Sequence, residues 1–191
     1  MKVLIYLEED RVAPVGGPLG VGYHIKQIVE KEGIDYIHFL PGNLQQKKKE
    51  ASQKKWLYKH KKLTKIVRSL RHLSEYQRMI NHPTDNSDFL NQYDIVHFHR
   101  TSDMYKQRES LKKFKGIVLI TSHSPIPLAQ EFLAASATSF ETLYMKRKWD
   151  KFVEMDSWSF RNADYIVFPC ADAEEPYYLN WEEYKNIHDE R

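Results

Sequence analysis

Two histidine-bearing stretches carry most of the polar chemistry in this chain. His97-Phe98-His99-Arg100 ends one apolar run, so His97 and His99, two residues apart, share one face of a strand. Thr121-Ser122-His123-Ser124-Pro125 ends the next run and sets a third imidazole among hydroxyls. An imidazole titrates near neutral pH and can hydrogen-bond a substrate hydroxyl or share a proton with it. Two other readings stand beside this one. The histidines can be packed or satisfied by the backbone, or they can hold a metal, for which a third ligand of known position is lacking.

A third feature is the turn-rich stretch Pro14-Val15-Gly16-Gly17-Pro18-Leu19-Gly20-Val21-Gly22. It leads into a helix whose N-terminal amides can face an anion, and its glycines let backbone approach a ligand closely. The plainer reading is that the glycines only shape a surface turn. Their order does not match a dinucleotide fingerprint, and the second strand ends in Leu40-Pro41 where that motif needs an acid. The Gly-Lys-Ser/Thr of a P-loop is absent as well. Cys170 has no partner base nearby in sequence and reads as a small core or rim residue.

These residues need strands to hold them. Val3 to Leu7, Tyr36 to Leu40, Ile95 to Phe98, Ile117 to Ile120 and Tyr165 to Phe168 are short apolar runs bounded by polar or turn residues. Runs without polar alternation predict strands buried on both faces, and helical patterns between most of them predict a parallel sheet with crossover helices. The first helix is expected from Gly20 to Glu32, with Val21, Ile25, Ile28 and Val29 inward and Gly33 as its stop. Between Pro127 and Asn162 the apolar residues follow no single stripe, so one bent helix or two fit equally.

The segment from Gln45 to Asn91 interrupts this rhythm. From Lys47 to Arg78 twelve Lys or Arg face only Glu50 and Glu75, a local charge of +10 in a chain of +3. Leu63, Ile66, Val67, Leu70, Leu73, Tyr76 and Ile80 recur at helical spacing between Lys62, Lys65, Arg68, Arg71 and Arg78. The pattern predicts a basic amphipathic helix, preceded by Trp56-Leu57-Tyr58.

Composition sets the frame. Hydrophobic residues at 41% and charged residues at 29% exclude a disordered or collagen-like chain, and 191 residues suit one sizeable domain. One cysteine allows no internal disulfide, which fits a reducing compartment. Acidic Glu8, Glu9 and Asp10 after the first apolar run argue against a signal peptide, and no apolar run reaches the roughly 18 residues of a membrane span. The expected location is cytoplasmic.

Taken in order, Lys2-Val3-Leu4-Ile5-Tyr6, then Gly16-Gly17-Pro18 and Gly20, then Tyr93-Asp94-Ile95-Val96-His97-Phe98-His99, Thr121-Ser122-His123-Ser124-Pro125 and Ala163-Asp164-Tyr165-Ile166-Val167-Phe168-Pro169 resemble a known pattern. The chain looks like the N-terminal domain of a GT-B glycosyltransferase of family 4, the glycosyl transferases group 1. That resemblance implies an α/β, Rossmann-like open parallel sheet with helices on both faces, here with a basic helical insert between strands 2 and 3. It implies an acceptor-side domain at 1–170, with the insert at about 45–91 and a tail at 171–191 leading toward a second domain.

In that family a sugar passes from a nucleotide-sugar co-substrate to a glycan or lipid-linked acceptor, with retained configuration and no essential metal or other cofactor. The second domain carries a Glu-x7-Glu motif for the donor, so the present chain is expected to be inactive alone. The resemblance also implies that His123 contacts the transferred sugar, as the catalytic-site residue, and that Gly16 and Gly17 approach donor or acceptor. Gly20, His99, Arg100, Ser122 and Ser124 complete the expected donor- or acceptor-binding set.

The basic helix admits two readings. It docks on the inner face of an anionic membrane through Trp56, Lys62, Lys65, Arg68 and Arg71, or its apolar stripe packs on the domain and its lysines are solvated. A nucleic-acid reading of Lys47-Lys48-Lys49 lacks any accompanying module signature, so such a partner is not expected. A binding or regulatory module with the same fold and no catalysis is the remaining alternative.

Overall fold

The computed structural model describes residues 1–8, 14, 16–40, 61–124 and 126–191. Its centre is a five-stranded sheet: β1 (Val3–Tyr6), β2 (Ile37–Phe39), β3 (Ile95–Phe98), β4 (Ile117–Thr121) and β5 (Tyr165–Val167). All neighbours run parallel, in the order β2-β1-β3-β4-β5. Each expected apolar run thus supplies a strand.

Parallel register puts Leu4 beside Val96 and Val118, and Tyr6 beside Phe98, Ile120 and Ile166. These side chains build the main core, and helices close over them. The covering elements are α3 (Ser87–Leu90), α4 (Thr101–Lys106), α8 (Trp149–Asn162), α9 (Glu175–Asn180) and α10 (Glu182–Asp189). The opposite face presents Ile5, Leu7 and Phe39 to α1 (Gly17–Glu32), through Tyr23, Ile25 and Val29.

Among the described residues, coverage on that second face is incomplete. Ile117, Tyr165 and Val167 are exposed, so β4 and β5 are not buried on both sides as uninterrupted apolar runs predict. A run of apolar residues reports burial of the strand on average and cannot say which face lacks a helix.

α1 begins at Gly17, three residues before the expected start, and Gly33 ends it in the left-handed conformation at φ 65°. Val21 and Ile28 are exposed rather than inward, because the helix meets the sheet through Tyr23, Ile25 and Val29. The ambiguous stretch resolves into three helices, α6 (Leu128–Ala134), α7 (Ser139–Arg147) and α8. Residues 171–191, expected as a tail beyond the domain, instead form a 3-10 turn, α9 and α10, and bury Tyr177, Tyr184 and Ile187 in the main core.

The basic helix is α2 (Lys61–Asn81), followed after α3 and β3 by α4 and the short α5 (Arg108–Leu111). Its apolar stripe is divided. Leu73, Tyr76 and Ile80 pack with Met145, Phe152 and Met155 in a second core cluster, whereas Leu63, Ile66, Val67 and Leu70 stay exposed. The apolar stripe therefore packs on the domain over the second half of the helix only. Trp56 and Lys47 to Lys49 lie outside the described residues.

Candidate functional site

Strand order reverses between β1 and β3, and in open α/β sheets this is where the carboxyl ends of strands leave a crevice. A cavity of about 440 Å³ occupies that place. Its walls come from the start of α1 (Gly17, Pro18), the segment after β3 (His99 to Ser102) and the end of β4 (Thr121 to Ser124). Met79 of α2, Asp156 of α8 and Tyr177 of α9 close its sides.

The three histidines form a line, tilted at one step and stacked at the other. The rings of His97 and His99 lie 4.2 Å apart, and those of His99 and His123 lie 5.1 Å apart. Nδ1 of His99 and Nε2 of His123 are 2.8 Å apart, so one nitrogen donates a hydrogen and the other offers its lone pair. His97 Nε2 stands 2.7 Å from Thr121 Oγ1.

Burial drives the imidazole pKa values down, to about 4 at His97, with His123 adding to the effect, and to about 3 at His99, with His97 and His123 adding. His123 is lowered too, by burial and by the Arg100 charge. At neutral pH the line is uncharged. His99 is 2% exposed, and its Nε2 finds no partner among the described residues.

The remaining expected residues divide between wall and scaffold. Arg100 and Ser124 line the cavity. Ser122 also lines it, but its hydroxyl is held 2.8 Å from Tyr177 Oη, and that phenol donates to the carbonyls of Ser124 and Ile126. Tyr177 thereby fixes the loop that carries His123, and among the described residues no imidazole is hydrogen-bonded to Ser122. Gly17 lines the cavity at φ 67°, a conformation that a side chain strains, while Gly16 caps the helix and Gly20 is buried within it. The side chain of Lys62 lies outside the described set, and Lys65, Arg68 and Arg71 belong to the exposed half of α2, away from the cavity walls. Cys170 is exposed and is not a wall residue.

Asp156 is the main residue that sequence reasoning passed over. It is 2% exposed and accepts hydrogen bonds from Thr101 Oγ1 and from the amide of Leu128, both at 2.6 Å. It supplies the cap that Pro127 cannot give to the N-terminus of α6. Burial nevertheless outweighs these bonds and, with Glu131 nearby, pushes its pKa up to about 7. A sequence signal exists: Asp156 falls on the stripe Phe152, Met155, Ser159, Phe160, where an unpartnered acid would be costly.

Among the described residues no cluster of three or more His, Cys, Asp or Glu has metal-holding geometry. The arrangement offers neutral imidazoles, a guanidinium, a buried acid that titrates near neutrality and the N-terminus of α1. Such groups suit a polyhydroxylated ligand, since the mutually bonded His99–His123 pair keeps one further nitrogen on each ring, one a donor and the other an acceptor. No family model matches the chain, and no curated protein or solved structure matches it.

Proposed function

We propose that this chain is the acceptor-side, Rossmann-like domain of a retaining GT-B glycosyltransferase, and that its cavity binds a sugar through His99 and His123. The observation that carries the reading is the hydrogen-bonded His99–His123 pair, set at the sheet's switch point opposite the glycine turn. Neutral imidazoles in a partly buried cavity discriminate among hydroxyl positions, because a mismatched hydroxyl leaves a buried polar atom unpaired.

In this reading His123 contacts the transferred sugar, Gly17 admits the ligand's closest approach, and Arg100 faces an anionic group. The nucleotide sugar sits on a second domain, with a glycan or lipid-linked molecule as acceptor. The reading is supported by a loop that Tyr177, rather than a ligand, holds in place.

The test uses imidazole nitrogen and proton shifts of the purified chain, titrated with hexoses, N-acetylhexosamines and short glycans. Perturbation confined to His99 and His123, lost in His123→Ala with the fold retained, is the expected result. A panel without any shift at these rings removes the sugar reading. Transfer activity is then measured on a protein that joins this domain to a donor domain, where His123→Ala is expected to lower turnover at least about 100-fold.

A further inference from the structure

Asp156 joins two segments of the cavity wall. From α8 its Oδ1 takes the hydroxyl of Thr101, the first residue of α4, and its Oδ2 takes the amide of Leu128, the first residue of α6, each at 2.6 Å. Thr101 and Asp156 both line the cavity and both are buried. Ser159, one turn further along α8, donates to the Thr101 carbonyl at 2.9 Å. The threonine is thus held against the acid by its backbone as well as its side chain.

The two oxygens of this carboxyl group are not equivalent. Oδ2 faces a backbone amide, which only donates, whereas Oδ1 faces a hydroxyl, which donates or accepts. A proton taken up from solvent therefore belongs on Oδ1. There the acid donates to Thr101 Oγ1, and the bond reverses without either group moving. The reversed hydroxyl keeps its own hydrogen, and among the described residues Thr101 Oγ1 has no other hydrogen-bond partner to take it. A ligand in the cavity is left to accept it.

We propose that Asp156 and Thr101 form a proton-controlled selector in the cavity wall, which makes Thr101 a specificity-determining residue. With the acid ionised, Thr101 directs its hydrogen to Oδ1 and offers only lone pairs to a ligand. With the acid protonated, Thr101 donates to the ligand instead. A ligand group that only accepts, such as an amide carbonyl, is bound better by the protonated form, because beside the ionised form it meets lone pairs.

The surroundings place this change near neutral pH. Burial, with Glu131 of α6, raises Asp156 to about 7. Arg100 and the imidazoles of His99 and His123 share the cavity, and burial keeps both imidazoles neutral above 6.5. The Tyr177 phenol of α9 is pushed up by burial and stays neutral as well. Lys106 of α4 is paired with Glu8, and Glu183 of α10 with Arg161. On α2, His72 is turned to Glu141. The selector stands whatever ligand the cavity takes; its effect on sugars rests on the reading proposed above.

The ligand-free chain is titrated from about pH 5 to 9, and the Asp156 carboxyl, Thr101 side-chain and Leu128 amide signals are followed by NMR. Asp156 and Thr101 are expected to move together with a midpoint near 7, while the Leu128 amide keeps its hydrogen-bonded shift. Thr101→Val removes the donor to the ionised acid and is expected to raise that midpoint by about one pH unit, which Thr101→Ser restores. An Asp156 carboxyl that titrates below about pH 5, or a Thr101 signal that does not follow it, overturns the proposal. Binding of N-acetylglucosamine and of glucose is then compared. The ratio of their affinities is expected to rise about tenfold in favour of the N-acetyl sugar as pH falls through the midpoint. In Asp156→Asn it is expected not to vary with pH, since an amide nitrogen donates to Thr101 at every pH. A flat ratio in the native chain overturns the selector too. Absence of binding by either sugar removes the sugar reading alone, because the ligand-free titration decides the selector.

Discussion

Asp156 in the cavity wall and Glu141 at the joint of α2 and α7 are both sealed from solvent, yet their carboxyl groups shift in opposite directions. Burial raises Asp156 to about 7 despite the Thr101 hydroxyl and the amides of Leu128 and Ala129. Burial acts on Glu141 too, but the Ala137 amide, the Ser69 hydroxyl and His72 together outweigh it and leave its pKa below the usual value. Donors therefore decide the charge state of a buried acid. Glu141 has a basic side chain among them, while Asp156 has Glu131 in its neighbourhood. One carboxylate is a fixed structural anion; the other is a proton-exchanging wall of the cavity.

The harshest way to break this comparison is Glu141→Ala. It takes the shared acceptor from the Ala137 amide, the His72 ring and the Ser69 hydroxyl, of which Ser69 keeps Thr138 Oγ1 at 3.0 Å. The expected loss is about 3 kcal/mol in urea unfolding, as hydrogen bonds to a buried charged acceptor are removed. Asp156→Asn keeps one acceptor oxygen and is expected to cost less at neutral pH.

The pH dependence sharpens the contrast. The folded pKa of Asp156 is above its ordinary 3.8, so its contribution is fully present below that value and is lost as pH rises toward about 7. Stability of the native protein relative to Asp156→Asn should thus fall by about 1.4 kcal/mol per pH unit between 4 and 7. Glu141 has the opposite sign. Its contribution is present above 4.5 and is lost as pH falls through its lowered folded value, so the difference from Glu141→Gln should rise with pH in the acid range. Parallel slopes for the two variants would end the comparison.

Smaller effects follow at the edges of the two regions. His97 and His99, lowered to about 4 and 3, should keep neutral ring-nitrogen shifts at pH 5. Their stabilising contribution is present above 6.5 and disappears as pH falls toward those values. Leu70→Ser, on the exposed half of α2, should change stability by less than about 0.5 kcal/mol, whereas Leu73→Ala, one turn on, should cost about 2 kcal/mol or more. Equal costs would mean that both halves of the helix are packed.

Much of the architecture was legible from local pattern. Val3 to Leu7 and its four counterparts became the strands, Gly33 became the helix stop, and the basic stripe became α2. The breaks after Pro127 were hidden, although Thr138-Ser139-Phe140-Glu141 has the spacing of a capping box. Thr138 accepts from the Glu141 amide, and Glu141 reaches back to the amide of Ala137. In the cavity, His99, His123 and Arg100 were readable because strand ends expose their polar residues. Asp156 and Tyr177 were not, because each reaches the site from a helix remote in sequence.

By itself the sequence determined the five strands, their parallel pairing with crossover helices and the amphipathic character of α2, since these follow from periodicity over a few residues. Only the tertiary structure decided which half of that helix is buried, that the chain's last helices fill the core, and that Asp156 and Glu141 carry opposite shifts. Those outcomes depend on long-range contacts, and the free energy of a buried charge is set by whichever donors the fold brings to it.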